Sequence, residues 1–169
     1  MKKLVLFALL FALPLAGWGQ RSPVDDLFDK YNGREGFTSV YISSKMFSLL
    51  ARIDSEDKEF QNLVTRIKSI KILSIDSARN ILGVNLCTEL LKKLDTSGYE
   101  ELMTVKEEKG EVRFMIHEVN GKIAELVMIT GGYGSSIVSI SGDLDLKTIA
   151  ELSGKVGIEE LDNLEKVKQ

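Results

Sequence analysis

Beyond Gly98 the chain carries four β-patterned segments in succession: YEELMTVKE, EVRFMIHEV, KIAELVMIT and SSIVSIS. The connections between them are short and contain glycine: Lys109-Gly110, Asn120-Gly121 and Gly131-Gly132-Tyr133-Gly134. Asn-Gly is the strongest short-range hairpin signal, because both central residues of a tight hairpin turn need positive φ. Strands joined this closely pair antiparallel, since a parallel neighbour requires a crossover of about a dozen residues or more. An antiparallel meander is therefore the constraint that any fold of this chain has to satisfy.

Upstream, helical and strand patterns alternate. In SPVDDLFDKYN, Ser22 suits an N-cap and Pro23 the first helical position, with Val24, Leu27, Phe28 and Tyr31 on one face. Phe37–Ser43 reads as a strand of β-branched and aromatic residues. KMFSLLARI and FQNLVTRI follow as helical segments on either side of the charged patch DSEDKE, and Ser69–Ile75 is a second strand. NLCTELLKKLD is a helix whose apolar face carries Leu86, Leu90, Leu91 and Leu94. After the meander, DLDLKTIAELSGKV reads as a helix started by Asp143 or Asp145, and the tail from Gly157 can form a short amphipathic helix. The order is α-β-α-β-α-β-β-β-β-α. It predicts an α+β fold: a mainly antiparallel sheet of about six strands, with helices packed mostly on one face.

The first residues set the expected compartment. Lys2 and Lys3 precede an apolar run from Leu4 to Leu13, Pro14 breaks it, and small residues follow at Ala16, Gly17 and Gly19. This is the layout of a cleaved secretory signal, and the run is shorter than the ~20 apolar residues a membrane-spanning helix needs. The expected organisation is a signal peptide over 1–19 and a single domain over 20–169, periplasmic or secreted. No cysteine stands at the cleavage point to carry a lipid. The single cysteine, Cys87, excludes an internal disulfide, so the domain must be held by its apolar core. Cleavage removes two lysines and no acid, which makes the formal net charge of −3 more negative. With no basic patch interleaved with aromatics, nucleic acid is not an expected partner.

The run KIAELVMITGGYGSSIVSISGDLDLKTIAELS, above all Ser141-Gly142-Asp143-Leu144-Asp145-Leu146, resembles the end of small exported proteins of the Bacteroidetes group, domain-of-unknown-function family 4252. SVYIS with MFSLL, then IKILSID, fits the same pattern upstream, so the resemblance runs over residues 24 to 155. It implies an exported α+β domain. It implies no activity, substrate or catalytic residue.

The chemistry-bearing residues are few. His117 is the sole histidine, so a Ser-His-Asp mechanism would have to use it; it sits in a strand with Met115 and Val119, without a nucleophile elbow. Cys87, flanked by Leu86 and reaching Leu90 one turn on, reads as a small buried hydrophobe. One histidine and one cysteine cannot close a structural zinc site, and Asp143, Asp145 and Glu151 do not have calcium-loop spacing. No cofactor is expected. DSEDKE reads as a solvated acidic loop, and Asp143 and Asp145 as helix-capping groups. In Gly131-Gly132-Tyr133-Gly134-Ser135-Ser136, glycine amides with Tyr133 and Ser135 are the candidate binding residues, against a plain hairpin turn. The adjacent pairs Glu100/Glu101 and Glu107/Glu108 point to opposite faces of a strand and form no acid/base pair by themselves.

On KIAELVMIT, Leu126 and Met128 alternate with Glu125, Val127 and Ile129. Both faces are partly apolar, which calls either for helices on both sides or for a contact surface. The expected function is a non-enzymatic binding or interaction module of the cell envelope, its partner another envelope protein or a second copy of itself. The alternatives are a small-molecule or lipid-binding protein, and an envelope hydrolase with an unrecognised site.

Overall fold

The computed structural model describes residues 21–53, 57–75, 78, 83–95, 97–108, 110–132 and 134–145. Its elements, in chain order, are α1 (Pro23–Tyr31), β1 (Phe37–Ser43), α2 (Ser44–Ile53), α3 (Lys58–Arg66), β2 (Ile67–Ile75), α4 (Leu86–Leu94), β3 (Tyr99–Glu107), β4 (Gly110–Val119), β5 (Lys122–Gly132) and β6 (Ser135–Leu144). The six strands form one sheet in the order β1-β2-β6-β5-β4-β3, and every neighbouring pair is antiparallel. The expected α+β class and element order hold over the described residues. The signal segment, the expected helix DLDLKTIAELSGKV from Leu146 onward and the expected tail helix lie outside them.

The helices cap as their sequences dictate. The Ser22 hydroxyl accepts from the Val24 amide and Pro23 opens α1. Asp57 caps α3 by accepting from the Phe60 amide at 2.8 Å, so the described end of the acidic patch has a structural use. Asn85 caps α4 through the Thr88 amide at 2.9 Å. The Asn120-Gly121 turn has positive φ at both residues, 55° and 74°, as the hairpin reading requires.

The helices do not gather mostly on one face. On one side, α1 and α4 press Leu27, Phe28, Leu86, Leu90 and Leu94 against Leu73, Met115, Val127, Ile129 and Ile137. On the other, α2 and α3 bring Phe47, Leu63 and Val64 onto Ile70, Phe114, Ile116, Leu126, Met128 and Ile140. Alternate residues of β5 feed opposite cores, so its two apolar faces are both filled. Each fully buried aliphatic side chain contributes about 1.5–3 kcal/mol of transfer free energy, so covering both faces draws stabilisation from both residue sets of every central strand.

Some boundaries differ from expectation: Ile67, read as the end of the helical segment FQNLVTRI, opens β2 instead, and the last strand runs on past Ser141. β6 continues through Leu144, which is buried and pairs with Ile123. Asp143 is therefore an exposed strand residue, not a helix cap, and it accepts from Lys122 Nζ at 2.7 Å. The strand persists because Leu144 completes the apolar alternation of β6 over the α2/α3 core. Gly142 on β6 has a physical reason: a Cβ there would run into the Arg66 carbonyl where β2 crosses a register shift.

Candidate functional site

Three cross-strand neighbours anchor the site. Tyr99 at the start of β3 faces His117 near the end of β4, and His117 faces Glu125 on β5. They lie on the α1/α4 side of the sheet, where the apolar core gives way to polar groups. A bulge lies beside Glu125: Ala124 has no ladder partner on either side, so Glu125 keeps the face of Val127 and Ile129 while Ile123 turns into the opposite core. The turn into α1 then lays Ser22 over the carboxylate.

Glu125 is only 5% exposed. Its Oε1 accepts from Ser22 at 3.1 Å and from Ser139 on β6, and its Oε2 accepts from the Tyr99 phenol. The Ser22 hydroxyl serves both the Val24 amide and the carboxylate, so the residue that caps α1 also ties that helix to the sheet. Among the described residues Glu125 has no ion-pair partner. Arg21, which also lines the cleft, is paired with Asp29. Tyr99 responds to this setting: burial, then the negative charge of Glu125, push its phenol well above the ordinary tyrosine range. It remains a protonated donor at neutral pH.

His117 stacks on Tyr99 with ring centroids 5.0 Å apart and an interplanar angle of 26°. The imidazole makes no hydrogen bond among the described residues. These groups, with Arg21, Ser22, Pro23, Ser97 and Ala124, line a cleft of about 420 Å³, which falls in the size range of small-molecule sites, roughly 300–1,000 Å³.

The cleft brings His117 close to serines, the arrangement an unconventional hydrolase would need. Neither serine bonds the imidazole. Ser22 donates to Glu125, and Ser97 donates to the Lys93 carbonyl at 2.7 Å. No activated nucleophile is assembled. Among the described residues no group of three or more His, Cys, Asp or Glu side chains is placed to hold a metal ion, and no described helix is long and apolar enough to cross a membrane.

The other candidates lie elsewhere. Tyr133 is outside the described residues. Ser135 stands at the opposite end of β6 from Glu125, buried, with its hydroxyl accepting from the Leu86 amide at 3.3 Å at the start of α4. Cys87 is buried, its sulfur 3.8 Å from Glu111 Oε1. Burial, then the Glu111 charge, raise its pKa, so the thiol stays protonated as a structural cysteine does. Sequence reasoning passed over Glu125, although one signal was present: an acid inside a strand whose other residues are apolar on both faces.

The domain of unknown function DUF4252 matches residues 31–152 of this chain. The chain belongs to this family. No curated protein and no solved structure matches it. Within the DUF4252 region lie Tyr99, His117, Glu125 and Ser139, whereas Arg21 and Ser22 precede it.

Proposed function

We propose that this DUF4252 chain is an exported, non-enzymatic binding module of the cell envelope, and that its cleft takes a small polar ligand bearing a protonated amine. The charged n-region, short apolar run and small residues before Gln20 support export. The observation that carries the ligand class is Glu125: a buried carboxylate with three hydroxyl donors and no cation among the described residues. Neutral donors satisfy its hydrogen bonding but leave its charge uncompensated, and a buried charge without a counter-charge is costly. Oε2 accepts one bond and has capacity for a second. An ammonium group there would meet the charge, and the unpartnered imidazole of His117 offers a second polar contact. The polar lining suits such a ligand better than a lipid chain.

A thermal-shift panel of small amines, amino sugars and matched neutral sugars tests this reading. Amine-bearing members should raise the Tm of the wild type in a saturable way. His117→Ala should keep the fold, because the ring is half-buried at the cleft, and should weaken the shift. A panel in which no amine shifts the Tm, or only neutral sugars do, would overturn the proposal.

A further inference from the structure

The sheet has two free edges, and they are built differently. Edge β3 carries Glu100, Glu101, Lys106 and Glu107, and its register shifts between Glu101 and Met103. Charges and bulges of this kind keep an edge from pairing with another chain. Edge β1, FTSVYIS, has no charge, no proline and a continuous register with β2. It is also where exposed apolar side chains collect. Of the six large hydrophobic residues exposed among those described, four belong to β1 and the adjoining α2: Val40 (40%), Tyr41 (57%), Met46 (49%) and Leu49 (44%).

We infer that β1 is a dimerisation edge, at which a second copy of this chain adds its own β1 antiparallel about a two-fold axis at Val40. The axis sets Ser39 opposite the partner's Tyr41, and Thr38 opposite the partner's Ile42, so small meets large on both faces of the sheet. β-Branched and aromatic cross-strand pairs are the favourable kind. No like charges oppose each other along the strand, which matters for copies that carry net negative charge. A two-fold axis perpendicular to the sheet keeps α2 of both copies on one face. The helix lies at the β1 side of that face, against β1 and β2, whereas α3 reaches inward to β6. Met46 and Leu49 are therefore carried beside their counterparts. A lone peptide strand could pair with the backbone of β1 but would leave Met46 and Leu49 uncovered; a second copy covers them too.

Light scattering on the full exported chain tests this directly. The wild type should give a dimer mass at micromolar concentration. Val40→Lys, which sets two like charges face to face at the axis, should lose the dimer while the monomer keeps the wild-type circular dichroism spectrum and a cooperative unfolding transition. Leu49→Glu, which leaves β1 untouched, should shift the equilibrium towards monomer and keeps the test valid if the strand variant folds poorly. Val40→Cys should cross-link under mild oxidation, whereas Leu102→Cys on the opposite edge should not. A monomeric wild type, or a dimer indifferent to both Val40→Lys and Leu49→Glu, would overturn the inference.

Discussion

At the residue scale, Glu125 organises more of the molecule than its place in the sequence suggests. One carboxylate ties α1 through Ser22, β3 through Tyr99 and β6 through Ser139. The phenol supplies a measurable signature. Its folded pKa is raised above the unfolded value of 10.0 by burial and by Glu125. The stability tied to the neutral phenol is therefore fully present below about pH 10 and is lost as pH rises towards the folded value. In an absorbance titration at 295 nm, Tyr99 should ionise only as the protein unfolds, so the difference between wild type and Tyr99→Phe should appear with the unfolding transition. A folded-state tyrosine titrating near pH 10 that disappears in Tyr99→Phe would contradict this. Histidine and cysteine drew attention in the sequence because their chemistry is familiar. The more informative residue is a glutamate, whose importance depends on a helix-cap serine, a phenol and a strand serine converging from distant parts of the chain.

At the element scale, α1 and α4 pack side by side over one face, and their contact is polar at its outer end. Glu89 on α4 takes hydrogen bonds from Lys30 and from the Tyr31 phenol on α1, the latter at 2.7 Å. Partial burial pushes the Glu89 carboxyl up, but the bonds from Lys30 and Tyr31 outweigh it and the net shift is downward from 4.5. A depressed carboxyl contributes stability above its unfolded pKa and loses it as pH falls through the folded value. The Tm should therefore decline below about pH 4.5, and Glu89→Gln should flatten part of that decline; an unchanged acid limb in the variant would contradict the assignment. Most elements were legible because helical spacing, N-caps and Asn-Gly turns are local signals. The end of β6 was not. Asp143 and Asp145 look like caps, yet burial of Leu144 in the α2/α3 core carries the strand past Asp143, and that contact is non-local.

At the scale of the whole molecule, the double apolar face of β5 held the key to the layering. Alternation along KIAELVMIT required cover on both sides, and the structure divides its helices accordingly. Helices segregated beside a four-strand meander suggest one covered face. The earlier crossovers instead place α1 and α4 opposite α2 and α3. The cleft sits where this layering ends, at the junction of α1 with the β3-β4-β5 rim. Its position depends on residues that are far apart in sequence, Ser22 and Glu125, so no local motif could announce it. Because His117 is the only histidine, its ring protons give a single NMR reporter inside the cleft. Titrating the wild type with a small protonated amine should move the His117 Hε1 resonance saturably, and Glu125→Gln should abolish the movement. A His117 resonance that stays fixed while amines are added, or that moves equally in Glu125→Gln, would contradict an amine-binding cleft built on Glu125.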